Sequence, residues 1–156
     1  MISIQSVNHK EWGFIAAIFI AALILRLISM PSSGFFCDVP AQIKAIESNN
    51  LIIQFPGYAP YHFLITGLAS LTASTWQAML FFSMLCGMLS ILYLFLAAKK
   101  LAGSTAAVLS GGVMAFAVLP VYFSVAGTSY ATEMLFMAGI IYHGISYSGG
   151  KKQGWH

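Results

Sequence analysis

The chain has 156 residues, 59% of them hydrophobic and 7% charged, with a net charge of +3. A soluble domain carries roughly 25% charged residues. This composition, with a mean hydropathy of +0.84, excludes a water-soluble globule and implies an all-α integral membrane protein. The basic residues are few, and Lys99-Lys100 and Lys151-Lys152 close apolar runs. They read as membrane-interface anchors, so no nucleic-acid partner is expected. Two cysteines, Cys37 and Cys86, make no disulfide framework.

Five apolar segments follow in order: Trp12 to Met30, Tyr58 to Ala73, Trp76 to Ala98, Ala102 to Ala126 and Ser129 to Tyr147. A spanning helix needs about 17–25 residues, which all but the second satisfy. The core of the first, Gly13 to Leu25, has the length of a signal-peptide apolar region. Lys10 is the only basic residue before it, Arg26 interrupts its far end and no small-x-small site follows, so an uncleaved anchor is expected.

Residues 31–57 form the one long loop. Within it Val39, Ile43 and Ile46 recur at helical spacing, while Gln42, Lys44 and Glu47 fall elsewhere. A short amphipathic helix in the interface plane is predicted, with Pro40 in its first turn and Ser48-Asn49-Asn50 at its end. Lys44 and Glu47 read as its solvated face. The second segment opens on Phe55-Pro56-Gly57-Tyr58-Ala59-Pro60, which prevents a regular helix before Tyr61. Whether this short segment spans or is re-entrant stays open. If it spans and the N-terminus is cytoplasmic, both lysine pairs fall outside, against the positive-inside rule; if it is re-entrant they fall inside. In the fourth segment Gly103, Ala107 and Gly111, spaced by four, let a neighbouring helix approach closely. Pro120 and Ser124 to Ser129 mark its end.

Few residues carry chemistry. Asp38 is either the cap of the amphipathic helix or a catalytic carboxylate; Ala41 stands where a capping box would want Glu or Gln. Arg26 either snorkels to headgroups or binds an anion. Tyr58, Tyr61 and His62 suit an aromatic belt, with His62 also a candidate substrate contact. Glu133 lies one turn inside the fifth segment, where a buried charge is expensive and usually functional. Tyr130 precedes it by one turn, and His143 is expected against another helix. No ligand cluster for a metal is visible.

The order of these features resembles the GT-C superfamily of polytopic glycosyltransferases, which take sugars from polyprenyl-phosphate carriers. Members include protein O-mannosyltransferases and aminoarabinose transferases. Arg26-Leu27 ends the first helix as in that family, and Asp38 matches the essential Asp of its first outer loop. Pro56-Gly57-Tyr58-Ala59-Pro60 resembles its Pro-Gly-Tyr turn, Lys99-Lys100-Leu101-Ala102-Gly103 its basic pair, and Pro120 to Glu133 its Pro-aromatic stretch. The chain departs at Val39-Pro40-Ala41, where relatives often place a second carboxylate, and at Ser74 to Leu80, where they often place an Arg.

The resemblance implies a single membrane domain over residues 1–156, the N-terminal module of a longer enzyme in the plasma (inner) membrane of a bacterium. Asp38 would be catalytic, as a general base or by positioning a cation. Arg26, Tyr58, His62, Tyr130 and Glu133 would surround a polyprenyl-phosphate sugar, with Arg26 on the phosphate. Asp38 is then expected outside the cell, the further helices or a partner subunit are expected to complete the site, and this chain alone is expected to transfer nothing. Two other classes fit the composition: a non-catalytic subunit packing through its Gly/Ala face, and a transporter fragment with Glu133 as the ion site.

Overall fold

The computed structural model describes residues 9–32, 38–48 and 59–151. Among them the chain is all helix: α1 (His9–Ile28), α2 (Val39–Glu47), α3 (Ala59–Ala69), α4 (Thr75–Ala102), α5 (Ser104–Phe116), α6 (Val118–Val125) and α7 (Tyr130–Lys151). α1 and α4 are each long and apolar enough to cross a membrane, and α5 with α6 makes a third crossing if the bent pair is one span.

α4 is the centre, touching α1, α2, α3, α5, α6 and α7. The Ser74 hydroxyl starts it by accepting from the Gln77 N–H at 3.2 Å, while the Gln77 side chain accepts from the Ala73 N–H at 3.2 Å. These bonds satisfy donors that a helix start leaves open. Gly103 ends it at φ 85°, a conformation that favours glycine. The small-residue face works as expected on α5. Ala107 is fully buried, and the bare Cα of Gly111 faces the Phe95 ring so closely that a methyl group would lie 3.2 Å from it.

One end of the bundle is closed by charge. Glu11 at the start of α1 accepts from Lys99 at the end of α4 and from the Ser104 hydroxyl at the start of α5. Lys99 is therefore buried, not the interface anchor expected. Lys100 reaches the Ser146 hydroxyl at 2.6 Å and lies over the Tyr142 ring on α7.

At the opposite end α2 and α3 pack on the first half of α4 through Val39, Ile46, Tyr61, Ile65, Ala78 and Met79. The chain thus leaves α1 and enters α4 at the same end. α3, with 11 residues, is about 16 Å long, far short of the ~30 Å hydrocarbon core. It turns back instead of crossing, which answers the question its sequence left open.

The fourth apolar segment is not one helix. Ala117 is extended (φ −64°, ψ 143°) and separates α5 from α6 with a bend of 53°. Pro120 does not end the segment as expected. It sits in the first turn of α6, where its missing N–H is no loss. α7 then runs parallel to α4, with Ser83 donating to the Thr128 carbonyl (3.0 Å) near its start and Lys100 meeting Ser146 near its end.

Candidate functional site

Asp38 stands at the N-cap position of α2, but its side chain makes no capping bond; its carbonyl accepts from the Gln42 N–H at 2.9 Å. The carboxylate is exposed at the end of the bundle away from Lys99. Capping therefore does not explain this aspartate.

The face that α2 buries differs from the one expected. Val39, Gln42, Ala45 and Ile46 are inside, so Gln42 belongs to the packed side and not to the polar one. Lys44 and Glu47 are exposed as expected. The Gln42 Oε1 atom is buried with no hydrogen bond.

His62 is buried in α3, and that desolvation lowers its pKa from the ordinary imidazole value. Beside it, Tyr61 reaches across the bundle and donates to the Gly127 carbonyl at 3.2 Å; burial raises its phenol pKa well above the usual range. Tyr58, Cys37 and the Pro56-Gly57 turn lie outside the described residues.

Among the described residues Arg26 is the largest fully buried side chain. The break at Ala117 leaves carbonyls at the end of α5 without helical partners. The Arg26 guanidinium donates to two of them, Ala115 (3.1 Å) and Met114 (3.4 Å), and to Ala22 of its own helix (3.2 Å). A cation at a helix C-terminus also meets the negative end of the helix dipole. Its Nε has no partner. Arg26 neither snorkels nor points free toward an anion; it binds the bend.

A cavity of about 350 Å³ lies against that bend, lined by Leu25, Ser29, Pro31, Phe116, Val118, Val121, Tyr122, Val125 and Ala126. Its lining is almost wholly apolar. Ser29 and Pro31 belong to the stretch where the chain leaves α1 toward Asp38.

Tyr130 and Glu133 share a face of α7, and both are exposed. The Tyr130 ring packs on Phe123 at 5.1 Å. The expected burial of Glu133 does not occur within this chain. His143 is also exposed, with its ring 5.8 Å from Tyr93. Among the described residues no hydrogen bond or ion pair joins any two of Arg26, His62, Tyr130 and Glu133, and no group of three or more His, Cys, Asp or Glu is placed to hold a metal.

Sequence reasoning missed Glu11, Ser104, Gln42 and Thr128. Glu11 had a signal, a carboxylate at the mouth of one apolar segment and a lysine at the mouth of another. Thr128 is 4% exposed, and its hydroxyl has no partner; its carbonyl alone is held, by Ser83.

The family model for dolichyl-phosphate-mannose-protein mannosyltransferase matches residues 59–156, well over half the chain. The match begins at Ala59, so Asp38 and α2 precede it. No curated protein and no solved structure matches. The resemblance drawn from the order of residues is borne out across α3 to α7.

Proposed function

We propose that this chain, which belongs to the dolichyl-phosphate-mannose-protein mannosyltransferase family, is the membrane module of an enzyme that moves a sugar from a polyprenyl-phosphate carrier to an acceptor hydroxyl. The family match over residues 59–156 carries this reading. The carrier's apolar tail would occupy the cavity between α1 and the α5–α6 bend. Asp38 takes the proton of the acceptor hydroxyl as its oxygen attacks the anomeric carbon; the bond from that carbon to the phosphate oxygen breaks, and polyprenyl phosphate leaves. A general base of this kind needs to reach its proton at about 2.6–3.2 Å, and Asp38 is an exposed residue whose side chain is not used as a helix cap.

His62, Tyr58 and Tyr130 would contact the sugar or the acceptor. Arg26 is given a different part. With its guanidinium on the carbonyls of α5, it holds the bend that shapes the cavity, rather than the donor phosphate.

The placement of the lysines supports an outward-facing Asp38. Lys99, Lys100, the start of α1 and the last residue of α7, Lys151, all lie at the end away from α2. On the positive-inside rule that end would face the cytoplasm, and Asp38 would then lie at the outer face of a plasma membrane crossed several times.

The test uses the complete gene product, purified in mild detergent. A polyprenyl-phosphate sugar should co-purify by mass spectrometry, and radiolabelled sugar should pass from it to a membrane or protein acceptor. An impermeant thiol reagent on intact cells should label Cys37, with Cys37→Ser as the control. A product that binds no lipid-linked sugar and transfers none would overturn the proposal, and labelling only after lysis would overturn the orientation.

A further inference from the structure

We infer that the outward face of α7 docks a membrane helix whose sequence lies outside these 156 residues, and that this helix presents a basic side chain to Glu133. The face is a continuous stripe. Tyr130, Glu133, Met137 and Ile140 recur at three- and four-residue spacing and are all exposed.

The depth of Glu133 makes the stripe informative. The neighbouring Thr132 hydroxyl lies 3.8 Å from the Cys86 sulfur on α4, so this turn of α7 is level with Cys86. At 1.5 Å per residue, Cys86 is about 17 Å beyond Thr75 and about 20 Å short of Lys99. α7 starts deep because the turn before it is drawn into the bundle, by Tyr61 on the Gly127 carbonyl and Ser83 on the Thr128 carbonyl. Glu133 therefore sits within the apolar length of α4, not at its rim. A carboxylate at such depth does not face acyl chains; it faces a cation, a donor or water. Among the described residues no such partner reaches it. The two lysines of α4 are engaged, Lys99 by Glu11 and Lys100 by Ser146.

The rest of α7 agrees. Its 22 residues are long enough to cross a bilayer, yet it is not among the helices apolar enough to do so alone. Thr132, Glu133, His143 and Ser146 reduce its hydropathy. A helix of this kind needs protein on its outward side as well as on the side held by α4. The complement of an apolar stripe with one deep negative charge is an apolar helix with one positive charge at the same level. This inference does not depend on glycosyl transfer.

The test is photo-crosslinking in the native membrane. A benzophenone amino acid at Met137 or Ile140 of the full product is irradiated, and the adduct is sequenced by mass spectrometry. The expected adduct is a peptide from outside residues 1–156, apolar over about 20 residues and carrying Lys, Arg or His. Glu133→Gln, which keeps the side-chain shape, should lower the adduct yield about 3- to 20-fold, the range of polar contacts between membrane helices. Glu133→Lys paired with the partner's basic residue changed to Glu should restore it. Adducts with lipid alone, or with a second copy of this chain, overturn the inference. So does a partner helix without a basic residue, or a yield unchanged in Glu133→Gln.

Discussion

The two ends of the bundle treat polar groups in opposite ways. At the lysine end Glu11 is shared between Lys99 and Ser104, and Lys100 is held by Ser146 and the Tyr142 ring. Toward the other end Gln42 Oε1, Thr128 Oγ1 and Arg26 Nε are buried with no hydrogen bond, and Asp38 leaves its own helix uncapped. A buried polar atom without a partner costs about 1–3 kcal/mol. A fold keeps such atoms where ligand, water or further protein completes them. The lysine end holds helices in register, while the Asp38 end leaves buried polar atoms unpaired among the described residues.

The largest effect that would sharpen this contrast is at Asp38. Asp38→Asn in the complete enzyme should lower transfer about 100- to 10,000-fold, as for loss of a general base. Loss of a helix cap would not account for that fall, because the side chain makes no cap bond. Full turnover by Asp38→Asn would remove the catalytic assignment, and a large drop in stability would return Asp38 to a structural part.

At the closed end the expected loss is in stability alone. Lys99→Met takes the lysine from the buried Glu11 carboxylate, and breaking a buried pair from one side costs about 3–5 kcal/mol. The double change Glu11→Leu with Lys99→Met removes both charges and should recover most of that loss. Unfolding in a mixed-micelle titration measures both. If the single and double variants were equally unstable, the pair would not be what holds α1 to α4.

The same contrast sets what the sequence made legible. Helix positions follow from long apolar runs, so α1, α4 and α7 were expected close to where they stand, and the amphipathic helix near Val39 likewise. The family was legible because its residues come in a fixed order along the chain. What was not legible depends on partners far apart in sequence. Glu11 and Lys99 meet only because α3 turns back and makes α1 and α4 antiparallel. Gln42 looked solvated because a nine-residue helix gives too few turns to fix which face is buried. Pro120 looked like a helix end. A proline in the first turn of a new helix carries the same local signal, and only the extended Ala117 separates the two cases.

A comparable or smaller effect, about 2–5 kcal/mol, is expected at the turn that ties the two regions. Gly127 has φ 66°, and a methyl group there would enter the Trp76 ring. Left-handed backbone costs an ordinary residue about 1–2 kcal/mol, and overpacking adds about 1–3. Gly127→Ala should therefore be destabilised by both terms. Adding Trp76→Leu opens space and should return only the packing part, leaving about 1–2 kcal/mol. Complete rescue would mean the positive φ carries no strain.

The smallest effect is at Tyr61, and it separates a tether from a packing group. Tyr61→Phe keeps the ring against Val39, Ile65 and Met79 and its tilted contact with Phe82 at 5.9 Å. It loses the hydroxyl's bond to the Gly127 carbonyl and its contact with the Ser83 side chain. A neutral bond of this kind contributes about 0.5–1.5 kcal/mol, so stability should fall by about 1 kcal/mol. The consequence for the Asp38 end should be larger than that figure suggests, because Gly127 precedes the start of α7 and so helps set the depth of Tyr130 and Glu133. A crosslinker at Met137 reads that depth directly. Tyr61→Phe should shift its adducts along the partner helix while those at the lysine end of α7, near Lys100 and Ser146, stay in place. A uniform change along α7, or none at all, would mean that Tyr61 only fills space.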